Sequence, residues 1–176
     1  MDIIVSYGSK YDSAKKYAEM FSKTHGLSIF SYKDLKTTIN NDWIIHFGAL
    51  YAGGILGLKH IASSLSNHTK LVIVTIGLAD VKDKQNIKNI TRLIKSAIPE
   101  NVFNNAYIFH LRGAINYHSL SLKHRAMMAF LYAKAKHIRE EQQNEETKEL
   151  KKTYGKQVSF VSEQESNNLN ILSKII

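Results

Sequence analysis

The residues best suited to chemistry lie in three short segments of this chain. The first is Gly8-Ser9-Lys10-Tyr11-Asp12-Ser13-Ala14, between an apolar strand-like run and a helix-like one. A small-residue loop in that position aims backbone N–H groups and a helix N-terminus at one spot, which suits a phosphate. Ser9, Tyr11 and Ser13 add hydroxyl donors. The loop has neither the Gly-x-Gly-x-x-Gly pattern of dinucleotide sites nor the Gly-Lys-Ser/Thr ending of nucleoside-triphosphate loops. Strand-to-helix turns of this kind also occur without a ligand, so on these residues alone both readings stand. The second segment, Ala49 to Gly57, carries Gly53, Gly54 and Gly57 around Tyr51. A core role for a tyrosine set among Ala and Gly in a loop is hard to arrange, so Tyr51 is expected to be functional. The third segment, Ile76 to Asp80, is broken by Gly77.

The surrounding pattern supplies elements to hold these segments. Strands are expected at Asp2–Tyr7, Leu27–Tyr32, Trp43–Gly48, Lys70–Ile76 and Ala106–Leu111. Ala14, Tyr17, Ala18 and Phe21 recur at helical spacing, and Gly26 ends that helix. A polar stretch holds Asp34 to Asn41. Further helices are expected near Leu58–Leu65 and Gln85–Ala97, and a long one from about Ser119 past His137 towards Lys152. Val158–Val161 reads as a short extended segment. Ser162 and Glu165 have capping-box spacing ahead of a last helix. Apolar strands alternating with helices imply a parallel sheet covered on both faces, an α/β doubly wound fold. Ligands of such sheets bind beyond the carboxyl ends of the strands, where all three segments lie. Trp43 and the Met127-Met128 pair read as core. His46 alternates with apolar neighbours and reads as a hydrogen-bonded core histidine rather than a ligand.

The 176 residues fit one domain, with a core over 1–139 and a charged helix end and C-terminal extension over 140–176. With no cysteine there are no disulfides, thiolate metal sites or Cys nucleophiles, and the histidines show no metal-ligand spacing. The chain begins directly in an apolar strand and has no membrane-length run, so it is expected to be cytoplasmic. The net charge of +9 is concentrated in residues 1–139, where 19 Lys and Arg face 8 Asp and Glu. Such a surface favours anionic partners, although a general solubility charge explains it equally well. No nucleic-acid-binding pattern accompanies it, so nucleic acid is not expected.

Taken together, the segments Ile3 to Ala18, Gly48 to Gly54 and Thr75 to Ala79 resemble the flavodoxin family. The stretch Leu111 to Tyr117 with Leu120 to Met128 is similar to the subgroup that includes menaquinone-dependent protoporphyrinogen oxidase. The resemblance covers residues 2 to about 135. It implies a five-stranded parallel sheet of order 2-1-3-4-5 and FMN as cofactor. It also implies that Ser9, Lys10, Tyr11, Asp12, Ser13 and Ala14 hold the phosphate. Ala49, Leu50, Tyr51, Ala52 and Gly53 would lie on one side of the flavin ring, and Thr75, Ile76, Gly77, Leu78 and Ala79 on the other. Arg112, Asn116, Tyr117, Lys123 and Arg125, with His124 among them, would meet a substrate or partner. That would be a redox protein or an anionic small molecule such as a porphyrinogen or a quinone, with a peripheral membrane contact as a further option.

This chain departs from the family at two positions. Asp12 stands where glycine is usual, and Ala14 where threonine is usual. Asp12 places a carboxylate in a phosphate loop, or else serves as the N-cap of the first helix; Ala14 lacks a hydroxyl donor. Two functions follow. One is an FMN redox protein, either an electron carrier or an oxidoreductase. The other is a flavodoxin-fold binding or regulatory module without the cofactor.

Overall fold

A computed structural model describes residues 1–35 and 38–174 of the chain. Lys36 and Thr37, inside the expected polar stretch Asp34–Asn41, lie outside the described residues. Five parallel strands form the central sheet: β1 (Ile3–Gly8), β2 (Ser28–Ser31), β3 (Trp43–Tyr51), β5 (Lys70–Gly77) and β6 (Tyr107–Arg112). Their order is β2-β1-β3-β5-β6. This is the expected 2-1-3-4-5 arrangement, with the numbering shifted by a short strand β4 (Gly54–Ile55) that pairs antiparallel with the end of β3.

The two faces of the sheet carry separate apolar clusters because alternate strand residues point opposite ways. On one face Val5, Ile45, Phe47, Val72 and Val74 pack against Ala14, Tyr17, Ala18 and Phe21 of α1 (Ser13–His25). Leu169 and Leu172 join this cluster from the C-terminal segment. On the other face Ile4, Ile44, Leu71 and Ile73 meet Leu58 and Ile61 of α2 (Leu58–Ser64), and Ile90 and Ile94 of α3 (Lys84–Ala97). A short α4 (Glu100–Asn104) follows Pro99. Trp43 is buried in the core, as its strand position implies, with the Lys70 ammonium 5.0 Å from its ring centre.

The expected long helix from Ser119 to Lys152 is instead two helices. α5 spans Leu122–Ala135 and α6 spans Glu145–Thr153. Arg139 is extended, and Asn144 starts a new helix by accepting a hydrogen bond from the Thr147 N–H at 2.8 Å. The extended segment near Val158 is β8 (Gln157–Ser159). It pairs not with the main sheet but with β7 (Ala114–Asn116) in a separate two-stranded ribbon. The last helix, α7 (Glu163–Asn167), begins as its capping pattern implies, with the Glu165 N–H donating to Ser162 Oγ at 3.1 Å. Among the described residues, no helix is long and apolar enough to cross a membrane.

His46 is fully buried in β3 and satisfied at both ring nitrogens. Nδ1 lies 2.8 Å from Ser6 Oγ and Nε2 2.8 Å from the Leu56 carbonyl. A carbonyl only accepts, so Nε2 carries the proton and Ser6 donates to Nδ1. This neutral tautomer ties β1 to the segment that follows β4. Burial pushes the His46 pKa down from 6.5 to about 4, and burial lowers that of His110 as well. Between about pH 6.5 and 4 the unfolded chain therefore takes up protons that the folded chain refuses, and stability falls as pH falls. For His46 alone the loss is about 3 kcal/mol. Urea denaturation across this window is expected to show the loss, and His46→Gln to reduce its slope; a slope unchanged in His46→Gln would assign it to other groups.

Candidate functional site

The parallel register brings the ends of three strands level. Gly8 pairs with Gly48, and Gly48 with Thr75. Leu56 then crosses directly over this edge. A Cβ on Gly8 would lie 2.1 Å from the Leu56 carbonyl oxygen, and one on Gly48 2.3 Å from Ile55 Cγ2. Only glycine permits this approach at either position.

The segment around Tyr51 is a hairpin rather than an open loop. β3 continues through Ala49, Leu50 and Tyr51, and Tyr51 pairs with Gly54. Ala52 and Gly53 form the turn with φ of 49° and 76°. Two successive positive φ values mark the tight turn whose twist matches a β-ribbon. This stiff hairpin carries Tyr51 out over the strand ends.

A cavity of about 550 Å³ lies among these loops, within the range usual for small-molecule sites. Ser9, Lys10, Tyr11 and Ser13 line it from the first segment. Ala49, Leu50, Tyr51, Ala52 and Gly53 line it from the second, and Thr75, Ile76, Gly77, Leu78 and Ala79 from the third. Asp12 and Ala14 lie outside the lining. Asp12 is exposed and occupies the N-cap position of α1, but its φ is 63° and its side chain caps nothing. The capping role read from the sequence is corrected accordingly: a left-handed backbone turns the residue away from the geometry in which a carboxylate reaches the helix amides. Glycine adopts such a φ without steric cost. Ala14 is fully buried in the core under α1.

The phosphate-type loop keeps one buried hydroxyl free. Ser9 Oγ is buried with no hydrogen-bond partner. The Ser13 N–H is used internally, donating to the Tyr11 carbonyl at 2.9 Å. Ser13 Oγ accepts from the Ala114 N–H at 3.0 Å, which fastens the loop to β7.

Helices α5 and α6 roof the cavity, a role absent from the sequence reading. His124, Met127, Met128, Leu131 and Ala135 of α5 and Glu146, Glu149 and Leu150 of α6 line it. Met127 and Met128 are half-buried and line the cavity, and Met128 also packs against the small buried cluster of Ile115, Tyr117 and Leu120. The spacing of His124, Met127, Met128, Leu131 and Ala135, at i, i+3, i+4, i+7 and i+11, is the signal that marks this face. His124 is the junction: its Nδ1 is hydrogen-bonded to the Tyr11 hydroxyl and lies 3.0 Å from Ser121 Oγ, while its Nε2 is hydrogen-bonded to the Tyr51 hydroxyl. Both tyrosine rings stand edge-on to the imidazole. One side chain thus joins α5, the first loop and the hairpin. At the back of the cavity Thr75 Oγ1 lies 2.6 Å from His110 Nδ1.

Of the residues expected to meet a partner, His124 alone lines the cavity, and the other five sit elsewhere. Lys123 and Arg125 are exposed on α5. Asn116 accepts from the His118 N–H, and Tyr117 packs on Tyr154. Arg112 is held internally. Its guanidinium donates twice to the Leu78 carbonyl, at 3.0 and 2.7 Å, pairs with buried Glu149 at 3.0 Å, and lies 3.5 Å from the centre of the Phe160 ring. It fixes the third loop to α6.

A family model of the flavodoxin domain matches residues 4–143. The chain belongs to the flavodoxin domain family. No curated protein matches it. The matched region of this flavodoxin domain includes all three loops and α5, and stops before α6. Flavodoxin domains typically bind FMN, and the residues present fit that group. The unpartnered Ser9 hydroxyl offers a donor to a phosphate, and the Tyr51 hairpin and the Thr75–Ala79 loop wall the same cavity.

Relief of the left-handed backbone at position 12 is testable without any ligand. Asp12→Gly removes a steric cost of about 1 kcal/mol and loses no cap. The variant is expected to unfold at higher urea concentration than the parent; lower stability would show that the Asp12 side chain holds the loop.

Proposed function

We propose that this flavodoxin domain binds FMN in the roofed cavity and acts as an oxidoreductase on a small organic substrate. The observation that carries the reading is the convergence of the three strand-end loops on one cavity, with a buried Ser9 hydroxyl left unpaired. When bound, FMN supplies the electron transfer. The chain's own residues hold and shield it. Ser9 and Lys10 of the first loop take the phosphate, the Tyr51 hairpin and the Thr75–Ala79 loop flank the ring, and Arg112 fixes the latter loop through the Leu78 carbonyl.

The roof of α5 and α6 supports an enzyme over a carrier. A carrier presents its flavin edge to another protein, whereas this cavity is covered by Met127, Met128, Leu131 and Leu150. A small molecule that enters under the helices fits this arrangement better. An anionic substrate such as a porphyrinogen, with a quinone or a redox protein as the other partner, is supported by the net charge of +9 of the whole chain. The resemblance of the Leu111–Met128 stretch to the protoporphyrinogen oxidase subgroup points the same way. The second reading, a module without cofactor, is favoured by the His124 bridge, which occupies the Tyr11 and Tyr51 hydroxyls with a side chain of the protein itself.

Titration of the protein with FMN, riboflavin and FAD, followed by flavin fluorescence, tests the proposal. FMN is expected to bind more tightly than riboflavin, because only FMN offers a phosphate to the first loop. Tyr51→Ala is expected to weaken FMN binding by about 0.5–1.5 kcal/mol through loss of an aromatic contact. The absence of FMN binding at micromolar protein would favour the cofactor-free reading.

A further inference from the structure

Helix α5 has two apolar faces, and the cavity uses only one. Successive helix residues are about 100° apart, so His124, Leu131 and Ala135 fall on the side facing the site. Leu122, Ala126, Ala129, Phe130 and Ala133 fall on the opposite side, and all five are exposed. Leu122 is 82% exposed and Phe130 60%, values unusual for large apolar side chains on one stripe of a soluble surface. Cations border this stripe on both edges. Arg125 lies along one edge, and Lys123 and Lys134 along the other, with the Lys134 ammonium 4.4 Å from the centre of the Phe130 ring. Lys136 and Arg139 follow the helix.

The sequence around the helix sharpens the charge argument. From Ala106 to Arg139 there is no Asp or Glu at all. A second copy of the chain docked through this face would set cations against cations. A partner of opposite charge is required, and one that accepts a convex apolar strip with no groove or exposed backbone edge to grip. An anionic lipid surface meets both conditions: apolar side chains enter the acyl boundary while flanking Lys and Arg pair with headgroups.

We propose that the outward face of α5, through Leu122 and Phe130 flanked by Lys123, Arg125 and Lys134, seats the protein on an anionic membrane surface. The helix lies in the interface and does not span it. Its inner face would remain the roof of the cavity, so an apolar reactant dissolved in the bilayer would meet the site beside its own phase. The proposal needs no cofactor and stands whether or not FMN binds.

Co-sedimentation of the full chain with vesicles tests it. Two preparations are compared at low ionic strength: pure phosphatidylcholine, and two parts phosphatidylcholine to one part phosphatidylglycerol. Binding to the anionic vesicles is expected to be at least about tenfold stronger and to weaken as salt is raised. Leu122→Glu with Phe130→Glu, both at exposed positions, is expected to abolish it while circular dichroism and urea stability stay unchanged. Lys123→Glu with Arg125→Glu is expected to remove the preference for anionic lipid. Equal, weak binding to both vesicle types would overturn the proposal. So would a concentration-dependent dimer in sedimentation velocity that the Leu122→Glu, Phe130→Glu variant dissociates, because the face would then belong to a second copy.

Discussion

The backbone register of β1, β3 and β5 is the constraint on which the site depends. Parallel pairing sets Gly8 beside Gly48 and Gly48 beside Thr75, so three chain segments leave the sheet from the same level. Because neither glycine has a side chain, the Ile55–Leu56 segment can lie directly on the strand ends. That close contact orients the hairpin, and the hairpin orients Tyr51. His46 secures the same junction from inside the sheet by holding Ser6 and the Leu56 carbonyl at once. A buried imidazole with both nitrogens satisfied carries little desolvation penalty while neutral, and a large one when charged. The junction is therefore firm near neutral pH and vulnerable in acid.

The roof is built on a second set of polar contacts. Arg112 leaves the end of β6 and reaches two otherwise separate parts, the Leu78 carbonyl and the Glu149 carboxylate. Stacking on Phe160 fills the remaining face of its guanidinium. Glu149 is buried and also meets Lys152 at 3.1 Å. Removal of Glu149 would leave the Arg112 guanidinium without its carboxylate, whereas removal of Arg112 would leave Glu149 with Lys152 alone and free α6 from the third loop. His124 does the corresponding work for α5, with hydroxyls rather than charges as partners.

The strands of the sheet, α1 and the three loop segments were legible in the sequence because they rest on local signals, whereas the strand order followed only from the resemblance to the flavodoxin family. Apolar runs, helical spacing and glycine punctuation each extend over a few residues. Besides the Asp12 cap, three assignments went differently for reasons of tertiary context. The hairpin at Tyr51 depends on a turn in which alanine, not glycine, takes one positive φ value. The break between α5 and α6 depends on an Asn144 cap inside a charge-dense stretch that also suits one continuous helix. Arg112 stood among other cations, and nothing local distinguishes an arginine that meets solvent from one that binds a carbonyl 34 residues away.

By itself, then, the sequence determined the elements, their alternation and the chemistry each loop can offer, because these follow from side-chain period and backbone preference within short windows. The tertiary structure alone decided which residues share a cavity. Ser9, Tyr51, Thr75 and His124 are far apart in the chain and meet only because parallel strands end level and α5 folds back across them. It decided, too, that α5 would present one apolar face to the cavity and leave the other bare. A helix that is apolar around most of its circumference reads from sequence as buried. Only the packing shows which side has nothing against it.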